Sequence, residues 1–232
     1  ANALLEPGAV FFDVGANVGY LSVEVAHLRR AEGVRVYAFE PHPVLAQNLR
    51  RAVSLNAFDN LKTFEVAVGN AVGRVGFAAR SNTFVGSIAR QGEVGSCQVA
   101  SVTLDDMVFA KGVGPPDVLK IDVEGYEYRV LTGSRRVLSE HQPAVVFEIS
   151  PGTLRYGFTP EMLVDLLLDV GDYHFYTVKC AALTRKDIRA KSGAQQDILA
   201  IPPKRRARFE WFATEFRAGR IDSLWQKPPG LC

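Results

Sequence analysis

Apolar and polar positions alternate along this chain in two patterns, which predict strands and helices in turn. Short apolar runs end at glycine, proline or acidic residues, as buried parallel strands do. Longer segments repeat their apolar residues every three or four positions, as helices that cover a sheet do. Strands are predicted over residues 10–14, 34–39, 61–68, 117–125, 144–149, 174–178 and 197–201. The pattern predicts an α/β fold with a doubly wound, mostly parallel, seven-stranded sheet.

Residues 73–103 break this alternation and predict a β-hairpin insertion. Glycines at positions 73, 76, 86, 92 and 95 separate short β-like runs, which is typical of a hairpin or a meander. The regular pattern then resumes, with Asp105 expected to cap a short helix and a longer helix predicted over residues 126–138.

A glycine turn follows the first strand. Asp13 ends the apolar run, and Gly15 and Gly19 precede a segment with helical periodicity. Such a turn lies at the carboxyl end of a strand, where open α/β sheets bind ligands. The two glycines allow the backbone to approach a ligand closely, and Asp13 is expected to point into the crevice. By itself the turn also fits a connection that binds nothing.

An acidic residue ends the second strand at the spacing expected for a nucleoside ligand. Glu40 lies one helix and one strand after Gly19, where a carboxylate can accept hydrogen bonds from the ribose hydroxyls. Pro41 then stops the strand. The third strand ends at Val68, next to the second, where small apolar residues can contact a flat base.

The fourth and fifth strands also end in charged residues. Lys120, Asp122 and Glu124 alternate with apolar residues, so they are predicted to share one face of the strand, and Glu148 ends the next strand. Charges in a buried strand are costly unless they are paired or functional. The group therefore fits either a salt-bridge cluster that holds the turn or the lining of a site, and the two are compatible.

This acidic edge indicates which ligand the crevice accepts. The chain lacks GxGxxG and a P-loop, and a pyrophosphate prefers helix-terminal amides to facing carboxylates. A ligand with a ribose, an ammonium and a sulfonium is instead bound well by facing carboxylates, because it offers hydroxyl donors and positive charges. The residues therefore favour S-adenosylmethionine (SAM) over NAD.

Four motifs together resemble the FkbM family of SAM-dependent methyltransferases. They are Phe-Asp-Val-Gly-Ala-Asn-Val-Gly at 12–19, Phe-Glu-Pro at 39–41, Thr-Leu-Asp-Asp at 103–106 and Leu-Lys-Ile-Asp-Val-Glu-Gly-Tyr-Glu at 119–127. The resemblance covers roughly residues 5–150, and the last motif is the most specific. It implies a class I methyltransferase fold that transfers methyl groups, mostly to hydroxyl oxygens of sugars or natural products.

The resemblance also implies roles for the cofactor residues. Asp13, Gly15, Asn17 and Gly19 would face the methionine part of SAM. Glu40 and the adjoining Pro41 would lie at the ribose, and Val68 would flank the adenine. The acceptor would be a small molecule or a glycan. By their position, residues 80–97 of the hairpin and residues 150–160 are expected to cover it, with Asn82, Ser87, Arg155 and Tyr156 as candidate contacts.

Methyl transfer to a hydroxyl requires a group that removes the acceptor's proton. Asp122, Glu124 and Glu148 are candidates by position, with Lys120 stabilising their charge, and His42 is a further candidate at the same edge. Crowded carboxylates raise one another's pKa, which suits one of them to act as a base. The cluster could instead hold a divalent metal, an alternative that we do not favour.

Composition limits the remaining alternatives. The 232 residues carry a formal net charge of +2, which does not favour a nucleic-acid partner, and the three cysteines are widely spaced, as in a reducing, cytoplasmic protein. No apolar run is long enough for a transmembrane segment. Residues 1–203 are expected to form the methyltransferase domain, and residues 204–232 a basic amphipathic helix and tail packed on it. A non-catalytic SAM-binding scaffold and an NAD-dependent oxidoreductase remain as alternatives, and the acceptor and oligomeric state stay open.

Overall fold

A computed structural model describes residues 2–79, 86–89, 97–190 and 195–219. The strands are β1 (Val10–Val14), β2 (Arg35–Phe39), β3 (Leu61–Phe64), β4 (Ala67–Val68), β5 (Gly73–Ala79), β6 (Gly86–Ile88), β7 (Cys97–Val102), β8 (Val118–Ile121), β9 (Ala144–Ile149), β10 (His174–Thr177), β11 (Ala182–Leu183) and β12 (Gln196–Ile201). The α-helices are α1 (Tyr20–Leu28), α2 (Pro43–Leu55), α3 (Glu127–Thr132), α4 (Arg135–His141), α5 (Pro151–Arg155), α6 (Pro160–Val170), α7 (Arg185–Ala190) and α8 (Arg206–Arg217). None of the helices described is long and apolar enough to cross a membrane.

The central sheet confirms the predicted mostly parallel α/β architecture. Its order is β11-β10-β12-β9-β8-β1-β2-β3, in which β3, β2, β1, β8 and β9 run parallel and β12 pairs antiparallel with β9. The seven predicted strands are all present, and the two-residue strand β11 adds an eighth at the edge. The carboxyl ends of β1, β2 and β8 therefore lie side by side.

The insertion forms a second sheet, and this changes one predicted strand. Residues 67–102 include a four-stranded sheet in the order β4-β7-β5-β6. Residues 61–68 were predicted as one strand, but they divide into β3 in the central sheet and β4 in the second sheet. The division occurs because Ala67 and Val68 pair with Ser101 and Val102 of β7 instead of with β2. Parts of the insertion, 80–85 and 90–96, lie outside the described residues.

Apolar side chains cover both faces of the sheet, as the continuous apolar strands predict. Phe12 and Phe39 belong to the cluster on one face, whereas Phe11 packs with α1 and α2 residues on the other. Helix α8 places Phe209 and Ala213 in this second cluster, where the Phe209 ring lies tilted against Tyr176 with the ring centroids 4.3 Å apart. The residues after 219 lie outside the described part of the chain, and the domain boundary stays a prediction.

The segment after β8 differs from its predicted form. Residues 126–138 were predicted as one helix, but the chain breaks it at Gly133–Ser134 into α3 and α4. Asp105 was expected to cap its own helix. Its carboxylate instead accepts hydrogen bonds from the backbone N–H groups of Arg136 and Val137, at 3.1 and 2.9 Å, and so caps α4.

Candidate functional site

A cavity of about 290 Å³ opens at the carboxyl ends of β1, β2 and β8. The β1–α1 turn, the end of β2 and the turn after β8 form its floor, and residues of β4, β5 and β6 form one wall. It lies where open α/β sheets bind ligands, and its volume is close to the lower end of the range for small-molecule sites.

The β1–α1 turn depends on a glycine at position 15. Gly15 has φ +76°, and a Cβ atom there would lie 1.9 Å from the backbone oxygen of Asp122. Asn17 also adopts a left-handed conformation, with φ 54°. The turn is therefore pressed against the end of β8, and Gly15, Ala16 and Asn17 line the cavity.

Asp13 and Lys120 form an ion pair beneath this turn. Lys120 Nζ lies 3.1 Å from Asp13 Oδ1 and 3.5 Å from Asp122 Oδ2, and it donates a hydrogen bond to the Gly15 carbonyl at 2.9 Å. The Ser22 hydroxyl donates to Asp13 Oδ2 at 2.6 Å. Burial favours a lower pKa for Lys120, but the carboxylates of Asp13 and Asp122 outweigh it and the pKa is raised.

Glu40 lies at the end of β2 as predicted, and its carboxylate is already bonded to the backbone. Oε2 accepts from the Asn17 N–H and Oε1 from the His42 N–H, both at 2.8 Å. Burial raises the pKa of Glu40 even though these two hydrogen bonds oppose the shift. Each oxygen retains a lone pair for a further donor. Pro41 and Val68 line the same cavity.

Asp122 and Glu124 line the cavity beyond the end of β8. They do not share one face of a strand, as the alternating pattern predicted. The strand predicted over 117–125 ends at Ile121. Glu124 has φ 58°, so residues 122–125 form a turn in which the period of two is lost. The Asp122 side chain is 43% exposed and Glu124 is exposed, in contrast to the buried Asp13.

Glu148 lies beside the cavity and is not among the residues that line it. Its Oε1 accepts a hydrogen bond from Gln195 Nε2 at 2.5 Å. Burial raises the pKa of Glu148, and the charges of Asp122 and Glu124 raise it further. His42 is not in the lining either, and its Nδ1 accepts the Val44 N–H at 3.2 Å as a helix cap. Within the described ranges, no three potential ligands among His, Cys, Asp and Glu form a metal site.

The second sheet contributes residues that the sequence patterns did not identify. Phe77 and Ile88 supply apolar surface to the cavity, and Tyr126 lines it from the turn after β8. Helix α5 and the residue after it hold this sheet in place. The Tyr156 hydroxyl donates to the Ile88 carbonyl at 2.5 Å, and Arg155 Nη1 donates to Ser87 Oγ at 3.1 Å. Apolar residues in a meander gave no signal that they would face a ligand.

The order of the parallel strands and the position of the cavity define a class I methyltransferase fold. A methyltransferase FkbM structure from Methylobacillus flagellatus has the same fold, with a TM-score of 0.54, 20% sequence identity and coverage of 84% of this chain and 44% of that one. The sequence profile of the Methyltransferase FkbM domain matches residues 13–174. The chain belongs to the FkbM methyltransferase family.

Curated relatives share part of their length with this chain. The 31-O-demethyl-FK506 methyltransferase FkbM of Streptomyces tacrolimicus is 31% identical over 56% of this chain and 60% of its own length. The 2-O-methyltransferase NoeI of Sinorhizobium fredii is 28% identical over 71% of this chain and 74% of its own. The hexuronic acid methyltransferase AglP of Haloferax volcanii is 28% identical, and the chain spans 58% of its length.

Proposed function

We propose that this protein transfers a methyl group from S-adenosylmethionine to a hydroxyl oxygen of a sugar or natural product. One observation carries the proposal: a single cavity has the Glu40 carboxylate at the end of β2 and the Asp122 and Glu124 carboxylates after β8. The names of the three relatives supply the reaction type, because each is a methyltransferase and two name an oxygen as the acceptor atom.

The residues present fit SAM. Glu40 has lone pairs available for the ribose hydroxyls, and Val68, which lines the cavity, would contact the adenine. Gly15 and Asn17 line the cavity and would lie at the methionine part, whereas Gly19, which ends the turn, is not among the lining residues. Asp13 lines the cavity, and its carboxylate oxygens already contact Lys120 and Ser22, so it acts mainly by shaping the turn.

SAM, when bound, supplies an electrophilic methyl group. The protein's task is to orient the acceptor oxygen and to take up its proton. Asp122 and Glu124 line the cavity and are the candidates for the base, whereas Lys120 holds Asp122 in place by its ion pair. Glu148 lies outside the lining and contributes negative charge behind them.

Calorimetric titration with S-adenosylhomocysteine (SAH), SAM and NAD tests the cofactor proposal. We expect the wild type to bind SAH and SAM and not NAD. Glu40→Gln is expected to bind SAH at least about tenfold more weakly, because it loses a charged hydrogen-bond acceptor. The control Glu65→Gln removes an exposed carboxylate paired with Arg50 and should change nothing. Tight NAD binding without SAH binding would refute the proposal.

Turnover variants test the assignment of the base. Mass spectrometry of a sugar and natural-product panel, incubated with the protein and SAM, first identifies an acceptor. Asp122→Asn or Glu124→Gln is then expected to lower kcat by about 100-fold while SAH binding is retained. Glu148→Gln should lower kcat by a smaller factor. If neither Asp122→Asn nor Glu124→Gln affects kcat, the assignment is wrong. Absence of any methylated product would favour the non-catalytic SAM-binding alternative.

Metal chelation tests the alternative role of the acidic residues. We expect activity to survive dialysis against EDTA, because under the proposed function the carboxylates act as bases and not as metal ligands. Loss of turnover on chelation, with recovery on adding Mg²⁺ and unchanged SAH affinity, would favour a metal that activates the acceptor.

A further inference from the structure

The turn after β8 contains a buried acid that the proposed mechanism does not use. Glu127, the first residue of α3, is fully buried. Its Oε1 accepts two backbone hydrogen bonds, from Val123 N at 3.0 Å and from Gly125 N at 3.1 Å. These two amides flank Glu124. The carboxylate therefore closes the turn from inside the protein, and Glu127 is not among the residues that line the cavity.

The conformation that these bonds hold is an unfavourable one. Glu124 has φ 58°, a left-handed conformation that costs a residue with a Cβ atom about 1–2 kcal/mol. Gly125 follows with φ +101°, and a Cβ atom there would lie 2.2 Å from the backbone of Gly152 at the start of α5. A strained turn persists only where its surroundings hold it, and Glu127 supplies the two bonds nearest the strain.

This turn also connects the two parts of the cavity. The Asp122 carbonyl is the atom pressed against Gly15, and Asp122, Val123 and Glu124 all line the cavity. We infer that Glu127 is a positioning residue, which fixes the turn so that Asp122 and Glu124 face the acceptor. The inference rests on the proposed function, since it assigns Glu127 to the same site.

The two carboxylate oxygens have different surroundings, which allows a sharp test. Oε1 accepts both amide bonds, whereas Oε2 is buried and has no hydrogen-bond partner among the described residues. Glutamine retains an Oε1 acceptor and places its NH₂ group at the Oε2 position. Aspartate retains the charge, but it is one methylene shorter and cannot reach both amides. An acceptor oxygen at the right distance, and not a charge, is thus what the turn requires.

The experiment compares Glu127→Gln, Glu127→Asp and Glu127→Ala by kinetics and by amide hydrogen exchange. We expect Glu127→Gln to keep kcat within about threefold of wild type. Glu127→Ala and Glu127→Asp should lose at least about tenfold in kcat, since small misplacements of reacting groups are costly, while the SAH dissociation constant changes less than threefold. Exchange protection should fall at Val123 and Gly125 and stay unchanged in β1 and β8.

Three outcomes would overturn the inference. The first is a Glu127→Ala variant with wild-type kcat. The second is a Glu127→Gln variant as impaired as Glu127→Ala, which would mean that an acceptor oxygen at this position is not sufficient to hold the turn. The third is a uniform loss of protection across the sheet, which would mean that Glu127 only supports global stability. If Glu127→Ala does not fold, the comparison of kcat and exchange protection between Glu127→Asp and Glu127→Gln tests the inference. A wild type that fails to bind SAH contradicts the proposed function instead, and the exchange data still test the geometry.

Discussion

Two strand-to-helix turns meet at the cavity, and they use their carboxylates in opposite ways. In the β1–α1 turn, Asp13 is 1% exposed and its oxygens contact Lys120 and Ser22. In the turn after β8, the Asp122 side chain is 43% exposed and Glu124 is exposed. The first turn keeps its carboxylate within the protein, and the second leaves its carboxylate side chains at the cavity.

The difference shows that a carboxylate at a strand end has one of two tasks. A buried carboxylate must satisfy its charge within the protein, so it serves to fix a turn. An exposed one at the cavity, under the proposed function, is available to take up the proton of the acceptor. Glu127 repeats the first arrangement within the second turn, since its carboxylate is buried and bonded to backbone amides.

Removing the cation of the first turn should have the largest effect on stability. Lys120→Met leaves Asp13 buried without its partner, which is expected to lower the free energy of unfolding by about 3–5 kcal/mol. The control Arg185→Met breaks an exposed pair with Asp165 and should cost at most about 1 kcal/mol. Urea denaturation at pH 7 measures both. A loss below 1 kcal/mol for Lys120→Met would show that Asp13 does not depend on this pair.

A methyl group at Gly15 should separate the two turns. Gly15→Ala combines a positive φ with a contact of 1.9 Å to the Asp122 oxygen, so we expect it to lose roughly 2–4 kcal/mol of stability and most of its SAH affinity. Gly112 has φ +66° and no atom within 4 Å of an added Cβ, so Gly112→Ala should cost only about 1 kcal/mol and leave SAH binding intact. If Gly15→Ala and Gly112→Ala changed stability and SAH affinity equally, the backbone conformation and not the contact between the turns would account for the loss.

The buried acid of the second turn should make stability depend on pH. Burial raises the pKa of Glu127 to about 7, although its backbone hydrogen bonds lower it. Between pH 4.5, its ordinary pKa, and about 7 the folded state keeps a proton that the unfolded state has lost, so raising the pH favours unfolding. The wild-type free energy of unfolding, relative to Glu127→Gln, should therefore fall by on the order of 2 kcal/mol across this window.

Denaturation of both proteins at pH 5, 6, 7 and 8 measures this difference, because the other acids titrate equally in each. Glu140→Gln serves as the control, since it removes a half-exposed acid paired with Arg136 on helix α4 and leaves the buried acid in place. A flat difference for Glu127→Gln would show that Glu127 stays ionised in the folded protein.

Much of the fold was accessible from the pattern of apolar residues. The seven predicted strands are all found in the central sheet, because buried parallel strands are recognisable as short apolar runs. The errors lie where a tertiary partner competes with local preference. Residues 61–68 divide because Ala67 and Val68 pair with β7, and Asp105 caps a helix that begins 30 residues later.

The candidate site was predictable in outline for the same reason. Glu40 lines the cavity, as do Asp122 and Glu124, since carboxyl ends of parallel strands meet at one edge. Phe77 and Ile88 were not identified, because nothing in a glycine-rich meander indicates which apolar residues will face a ligand. Glu127 was overlooked because its sequence position, at the start of a helix, is typical of an exposed acid.

The sequence by itself determined where the strands lie and which of them end in carboxylates. It also predicted that the glycine turn and Glu40 suit a nucleoside ligand without a pyrophosphate, and this stays a prediction. Only the tertiary structure decided which carboxylates bond to groups within the protein and which face the cavity. Asp13 and Asp122 both end an apolar run in the sequence. Their difference comes from burial and from Lys120, which lies more than 100 residues after Asp13 along the chain and contacts Asp13, Asp122 and the Gly15 carbonyl. Burial and long-range pairing set the free energy of a charge, and neither can be read from its neighbours along the chain.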